Sequence, residues 1–304
     1  MSLSVVSAAF MHGVTRVARR HTSAGVGSRN ALKSSWQKST RHLSSRSRVN
    51  ALARGTSAYS SHSSRAFDAM VFDLDGVLYP ADNGYMAHVR RNAREFIRVR
   101  YGKSEEEAAA IRLEAFRLAN QTVKGLRMLG YEVDAEDFMD FCRSGEDQFL
   151  SPDLAVVEAV SSLSARYKSG GVGSANQGRG TRMVLLTNTA EKRARVALEC
   201  LGLSEHFDAV YGADFMRPAC KPEEAAFRKV LEDISVAPSR AVMFEDSFKN
   251  LKAAKAVGMT TVFVRGATMG EEGVTAVELE AAADAVVPSI EVAALRDALP
   301  SLWG

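Results

Sequence analysis

Short apolar runs recur along this chain at Ala69–Asp75, Met183–Asn188, Ala209–Gly212, Ala241–Asp246, Thr260–Val264 and Ala285–Val287, and segments of helical periodicity separate them. No other feature restricts the fold as much. Strands joined by helices cannot pair as tight hairpins; they return through crossovers, which make neighbouring strands parallel and put helices on both faces of the sheet. The expected class is therefore α/β, a doubly wound parallel sheet of Rossmann-like topology. The expected helices between strands are Ala190–Leu201, Pro222–Ile234 and Asn250–Val257, and Ile290–Leu299 closes the chain.

More than a hundred residues part the first run from the second, and most are helical in pattern. Tyr85–Tyr101, Ser104–Gly130 and Asp134–Cys142 repeat apolar residues every three or four positions. Ser104 with Glu107 three residues on has the form of a capping box, and Gly130 suits a helix end. Residues 82–151 are thus expected to form a small helical unit inserted into one domain built from 67–81 and 152–304. A further helix, Pro152–Tyr167, leads into 169–180, where five of twelve residues are glycine. That stretch reads as a flexible surface loop within the core, because no Gly-Lys-Ser/Thr closes it as a phosphate cradle would require.

The N-terminus is a different kind of polypeptide. The formal net charge of the 304 residues is +3, yet 11 of the 39 basic residues and none of the 36 acidic ones precede Asp68, so the remainder carries a net −8. The first 67 residues also hold 16 serines. A segment so rich in Ser and Arg cannot bury enough apolar surface to offset its chain entropy. Residues 1–66 are expected to be a disordered basic transit peptide: Val6, Phe10, Val14 and Val17 share one helical side, with Arg16, Arg19 and Arg20 at its end. The mitochondrial matrix is the expected destination, with the chloroplast as the alternative. The segment has neither RGG repeats nor interleaved aromatics, so no nucleic-acid partner is expected. Basic residues interrupt every apolar run before it could span a bilayer, so neither is membrane insertion. Monomer and homodimer both stay open.

Ligands of doubly wound sheets bind beyond the C-terminal ends of the strands, and polar residues collect there. The first strand runs into Asp73 and Asp75, which lie two apart and project to one side of an extended chain while Leu74 faces the other. Thr187 and Asn188 follow the second strand, Lys221 stands beside Pro222 at a loop-to-helix junction, and Glu245 and Asp246 end a further strand. Such parts suit phosphoryl transfer. Carboxylates can hold Mg²⁺, a cation that prefers oxygen ligands, and can attack phosphorus themselves. Lysine and hydroxyl groups offset and orient the phosphoryl oxygens.

Asp73-Leu-Asp-Gly-Val77, Leu186-Thr-Asn188, Lys221-Pro222 and Phe244-Glu-Asp-Ser247, in that order, resemble the four motifs of the haloacid dehalogenase-like hydrolase superfamily. The resemblance implies that Asp73 is a nucleophile that becomes phosphorylated, and Asp75 the acid that protonates the leaving alkoxide and then the base that activates water. It implies further that Thr187 and Asn188 hold the phosphoryl group while Lys221 compensates its charge. Asp73, the backbone carbonyl of Asp75, Glu245 and Asp246 would bind Mg²⁺. Phosphatases of the superfamily carry the second aspartate and its dehalogenases lack it, so Asp75 points to hydrolysis of a phosphate monoester. The insert resembles the helical cap of one branch, and Asp75-Gly-Val-Leu-Tyr-Pro80 is similar to the start of the pyrimidine 5′-nucleotidases of plants and fungi. These implications make a pyrimidine nucleoside monophosphate the expected substrate, with phosphoglycolate, a sugar phosphate or a sugar-phosphate mutase reaction as alternatives. Phe138–Glu146 lacks the Val-His-Gly stretch that the nucleotidases usually carry there.

Other residues carry weaker signals. Three scattered cysteines (Cys142, Cys200, Cys220) cannot build a disulfide framework or a four-thiolate metal site and fit a reducing compartment. Cys220 is expected to pack rather than to act as a redox thiol, and His88 to be an exposed helical histidine. Trp303 can either fasten the C-terminus or hang free.

Overall fold

The computed structural model describes residues 66–168, 181–266 and 274–303. The expected transit peptide, but for its last residue, and the expected loop at 169–180 lie outside the described residues. In chain order the elements are β1 (Ala69–Phe72), α1 (Tyr85–Tyr101), α2 (Glu105–Ala119), α3 (Thr122–Met128), α4 (Ala135–Arg143), α5 (Leu154–Lys168), β2 (Arg182–Leu186), α6 (Glu191–Cys200) and β3 (Ala209–Tyr211). They continue with α7 (Ala213–Met216), α8 (Glu224–Asp233), β4 (Ala241–Glu245), α9 (Phe248–Val257), β5 (Thr260–Val264), α10 (Ala276–Ala282), β6 (Ala285–Val287) and α11 (Val292–Ala298).

The six strands form one sheet in the order β3-β2-β1-β4-β5-β6, every pair parallel. It is the doubly wound α/β architecture the alternation predicts. Alternate strand residues go to opposite faces, as the two-residue period requires. Met70, Phe72, Met183, Leu185, Val242 and Phe244 pack with α5 and α11 on one side. Ala69, Val71, Val184, Leu186, Ala241 and Met243 pack with α8 and α9 on the other. Phe72 stacks on Phe244 across the two central strands at 4.4 Å between ring centroids. Such a pair adds about 0.5–1.5 kcal/mol beyond the area it buries, and it fixes the register directly beneath Asp73.

Helices α1 to α4 bury a cluster of their own, including Ile97, Ala115, Leu126, Phe138 and Cys142. Ser104 and Glu107 form the expected capping box at the start of α2. The expected continuous helix Ser104–Gly130 is instead two helices. It breaks at Asn120, which adopts a left-handed conformation at φ 53°, and the chain folds back so that α3 lies against α2. Gly125 makes that approach possible: a Cβ there would stand 1.8 Å from the Ala115 carbonyl oxygen. Helical periodicity cannot register such a reversal, because both halves keep the same period. Helix α10, capped by Thr275 and Glu278, is a second element not anticipated, although Thr-x-x-Glu is itself a start signal. Trp303 fastens the C-terminus: its carbonyl accepts a 2.7 Å hydrogen bond from Arg166, and the Arg296 guanidinium lies 4.8 Å from its ring centroid. No helix among the described residues is long and apolar enough to cross a membrane.

Candidate active site

Strands β1, β2 and β4 lie side by side, so the residues that follow them meet at one edge of the sheet. There a cleft of about 320 Å³ opens between the strand ends and the helical insert. Asp73, Asp75, Thr187, Asn188, Lys221 and Asp246 all line it. Six of the seven residues expected from sequence therefore share one cavity, and Glu245 stands just behind it, fully buried.

Strand β1 stops at Phe72, and the Asp73 amide still donates to the Phe244 carbonyl at 3.0 Å. That bond keeps Asp73 in line with the sheet before the chain turns. Leu74 is buried, so Asp73 and Asp75 both face the cleft, as the alternation predicts. Gly76 then takes φ +85°, a conformation side chains resist, and Asp246 packs directly against it.

Lys221 joins the charges. Its Nζ lies 2.7 Å from Asp73 Oδ1 and 2.8 Å from Glu245 Oε2, with almost no side chain exposed. Burial alone would lower the lysine's pKa, but the two carboxylates more than offset that and raise it, so the ammonium persists. Asp73 is raised well above the ordinary carboxylate range, first by burial and then by Glu245, with Lys221 opposing. Asp246 is pushed up to about 9 by burial, Glu245 and Asp73. Three ionised carboxylates against one lysine would leave an excess of negative charge inside the protein, which is unfavourable unless a proton or a cation neutralises it.

Ligand oxygens of Asp73, Glu245 and Asp246 lie within 4.8 Å of one another. An all-oxygen set with surplus negative charge fits a hard divalent cation such as Mg²⁺. The three acids do not contribute alike. Glu245 already accepts from Lys221 Nζ and, at 3.1 Å, from the Ser247 amide; Asp73 and Asp246 are the carboxylates that reach the cleft. The Asp75 carboxylate stays outside this cluster.

Asn188 lines the cleft and also ties the Lys221 loop to it. Its side-chain Nδ2 donates to the Lys221 carbonyl and its Oδ1 accepts from the Lys221 amide, both at 2.9 Å. The side-chain amide thus clamps the loop that carries Lys221. Thr187 Oγ1 accepts from the Thr189 amide at 3.1 Å, which leaves its own hydroxyl proton to donate.

The residues around Asp75 were not read from the sequence. Arg143, at the end of α4, donates to both carboxylate oxygens, at 2.9 and 2.6 Å. The Tyr79 hydroxyl also donates to Asp75, and Thr189 Oγ1 lies 3.3 Å from its other oxygen. Burial would raise the Asp75 pKa, but Arg143 and then Tyr79 more than offset it and hold the carboxyl below its ordinary value. The Arg143 carbonyl in turn accepts from Tyr85 and from Arg193 of α6, and Arg193 also pairs with buried Glu146. One signal for Arg143 exists: it extends the buried stripe of Ala135, Phe138, Met139 and Cys142, where a solvated arginine has no place.

Two minor expectations resolve. Cys220 is buried, its thiol pushed up to about 12 by burial and Glu223, so it packs and does not titrate near neutrality. His88 is half-buried rather than exposed: its Nε2 lies 2.9 Å from the Ser144 carbonyl and its ring 4.9 Å from that of Phe149.

Comparison with known proteins agrees with this geometry. Residues 67–258 match the profile of the haloacid dehalogenase-like hydrolases. A phosphorylated carbohydrates phosphatase of Thermotoga maritima is 25% identical over 204 residues, covering 64% of this chain and 84% of that protein. A phosphoglycolate phosphatase of Thiobacillus denitrificans is 32% identical over 116 residues, but the match spans only 38% of this chain and 49% of the relative. Among solved structures, a phosphatase from Thermococcus onnurineus superposes with a TM-score of 0.51 at 21% identity, over 75% of this chain and 96% of that one. CbbY from Rhodobacter sphaeroides, in complex with xylulose-(1,5)bisphosphate, gives 0.51 at 20% identity over 78% and 99%. The two structures share the fold.

Proposed function

This chain belongs to the haloacid dehalogenase-like hydrolase family, and on that footing we propose that it is a Mg²⁺-dependent phosphatase of small phosphate monoesters. The observation that carries the proposal is the pairing at the β1 end: Asp73 against Lys221, and Asp75, two residues on, in the same cleft.

A carboxylate oxygen of Asp73 attacks phosphorus, the ester P–O bond breaks, and an aspartyl-phosphate forms. Lys221 and the Thr187 hydroxyl meet the charge on the phosphoryl oxygens, and the low dielectric of the buried site strengthens both contacts. Mg²⁺, held by Asp73 and Asp246 with Glu245 behind them, would supply further charge neutralisation when bound. Water then attacks the aspartyl-phosphate and Asp75 takes its proton, which regenerates Asp73 and releases phosphate. Asp75 as observed is ionised and gripped by Arg143, the state a base requires. To protonate the leaving alkoxide Asp75 must first gain a proton, which requires the hold of Arg143 to loosen; the proton that it later takes from the attacking water restores its acid form for the next turnover.

Two substrate classes compete. The pyrimidine nucleotide reading rests on Leu78-Tyr79-Pro80, yet the Tyr79 hydroxyl is engaged by Asp75, which accounts for the tyrosine without a substrate. The names of the relatives support a phosphorylated sugar or hydroxy acid instead. The test is phosphate release from UMP, CMP, hexose phosphates and phosphoglycolate with Mg²⁺. We expect sugar or hydroxy-acid esters to lead and Asp73→Asn to abolish turnover. UMP and CMP leading would restore the nucleotidase reading, isomerised sugar without free phosphate would indicate a mutase, and full activity in Asp73→Asn would remove the phosphatase assignment.

A further inference from the structure

Four basic side chains, Arg90, Arg112, Arg143 and Lys221, line the cleft, and they divide into two pairs. Arg143 is matched by Asp75, and Lys221 by Asp73 and Glu245. Arg90 on α1 and Arg112 on α2 have no carboxylate within ion-pair distance among the described residues. Glu95 on α1 pairs with Arg98 and Glu107 on α2 caps Ser104, while Glu105, Glu106 and Glu114, the other acids of α2, form no ion pair with either arginine. Arg112 is part-buried and its Nε is buried with no hydrogen-bond partner. Its guanidinium lies 5.2 Å from the ring centroid of Phe116, another cleft residue, which sets the plane of the fork. Arg94, one turn beyond Arg90, adds like charge: burial first, and then Arg90 and Arg94, lower the Arg112 pKa. A part-buried guanidinium whose Nε–H is buried without a partner and which has two further arginines close by is unfavourable on its own and is relieved by an anion.

We infer that Arg112 and Arg90 form a second anion subsite at the outer end of the cleft, so that the substrate carries a phosphate or carboxylate remote from the phosphoryl group that is transferred. The inference rests on the phosphatase reading for the inner end of the cleft. Spacing selects among such compounds. The C-terminal end of α2 stands at the inner end, where Asn120 Nδ2 approaches the Lys221 carbonyl at 3.4 Å and the Asn120 carbonyl takes Asn188 Nδ2 at 3.5 Å. Arg112 lies eight residues earlier on the same helix, about 12 Å along its axis at 1.5 Å per residue. A two-carbon acid such as phosphoglycolate, whose carboxylate stands beside its phosphate, is the poorer match to two anion sites set apart along the cleft. A five- or six-carbon sugar bisphosphate, or a phosphorylated sugar acid of that length, is the better one. A nucleoside monophosphate has no second anion to place there.

The experiment compares kcat/KM for a hexose monophosphate, the corresponding bisphosphate, a phosphorylated six-carbon sugar acid, phosphoglycolate and UMP. In the wild type a doubly anionic long ester should exceed the hexose monophosphate by about tenfold or more, the scale of one charge-assisted pair. Which of the two esters leads identifies the remote group as phosphate or carboxylate. Arg112→Gln and Arg90→Gln should each erase most of that preference through KM, and Arg112→Lys should restore part of it. Arg100→Gln, the same charge change at the exposed end of α1, should leave the ratio intact. Arg112→Gln should melt close to the wild type, because relief of an uncompensated cation offsets the lost contact with the Phe116 ring. Equal rates for mono- and doubly anionic esters, or a preference indifferent to Arg112, would overturn the subsite while phosphate release upheld the phosphatase. If no ester is hydrolysed, the phosphatase reading falls and calorimetric binding of the bisphosphate still reads the subsite: weakening of about tenfold in Arg112→Gln supports it, and unchanged binding overturns it.

Discussion

Arg143 holds Asp75 by a two-pronged ion pair, its Nη1 and Nη2 lying 2.9 and 2.6 Å from the two carboxylate oxygens. The pair joins the helical insert to the strand-end loop that carries the proposed acid and base, and it is nearly sealed from solvent, with 9% of the arginine side chain exposed. Among the partners of Asp75, which include Tyr79 and Thr189, this one residue of the insert has the largest hold on its position and protonation state.

Removing Arg143 should shift the pH profile. In the wild type the Asp75 pKa is held below its ordinary value because Arg143 outweighs burial. In Arg143→Met burial remains and the opposing charge is gone, so the pKa rises. A base works only when deprotonated, so the acidic limb of kcat should move to higher pH by about one unit or more, the scale on which a nearby charge acts. The loss in kcat should be greatest in mild acid and shrink towards alkaline pH. Profiles on an aryl phosphate read this directly; an unmoved acidic limb would mean that another group sets it.

Tyr79→Phe tests the same carboxylate more gently. The hydroxyl is one of Asp75's donors, behind Arg143 in effect. Its loss should move the acidic limb in the same direction by less than Arg143→Met and lower kcat only several-fold. A larger effect than that of Arg143→Met would make the tyrosine, rather than the arginine, the principal partner.

These contacts also show what local pattern can and cannot reveal. Asp73, Thr187, Glu245 and Asp246 are legible because each ends or directly follows a buried strand, so hydrophobic pattern and chemistry occupy one short window. Arg143 lies 68 residues from Asp75. Only the fold-back of the insert onto the sheet brings them together, and an arginine in the last turn of a helix reads first as a solvated C-terminal cation. The reversal at Asn120 was hidden for a related reason: it depends on Gly125 meeting the Ala115 backbone, and spacing carries no record of that contact. The clamp of Asn188 on the Lys221 loop is hidden in the same way, because it spans 33 residues.

Lys221 should matter to stability as much as to turnover. It is enclosed by Asp73 and Glu245, and Lys221→Met leaves two carboxylates buried without their cation. Breaking a buried pair in this way costs about 3–5 kcal/mol. Glu245→Gln in the same chain removes one of the stranded charges, so the double variant should be more stable than the two single losses added together. Denaturant unfolding of the four proteins checks the coupling, and strict additivity would show that the charges do not interact.

Metal binding should release a proton. Asp246, pushed up to about 9, is protonated at neutral pH in the metal-free protein, and a carboxylate must lose its proton to bind a cation. Mg²⁺ affinity should therefore climb as pH rises towards 9. Calorimetry at pH 7 in buffers of different ionisation enthalpy should report proton release on Mg²⁺ binding, Asp246 contributing to it. Binding with no proton release would mean that Asp246 is already ionised or does not take part.

Gly76 ties the catalytic loop to that same carboxylate. A Cβ at Gly76 would stand 2.1 Å from Asp246 Oδ2, and its φ of +85° is one that an alanine resists. Gly76→Ala must therefore either push Asp246 aside or twist the loop that carries Asp73 and Asp75. The strand beneath is anchored by the Phe72–Phe244 stack and the Asp73 amide bond to Phe244, so the Asp246 side chain is the softer element and should give way. The expected signature is a Mg²⁺ requirement displaced to higher concentration together with a kcat reduced about a hundredfold, as misplacement by an ångström can cause. The fold should survive, because the clash involves a side chain at the cleft rather than the core, and the melting temperature should fall by only a few degrees. If saturating Mg²⁺ restores most of kcat, Asp246 alone has moved; if kcat stays low at every Mg²⁺ concentration, the loop has moved and Asp73 with it.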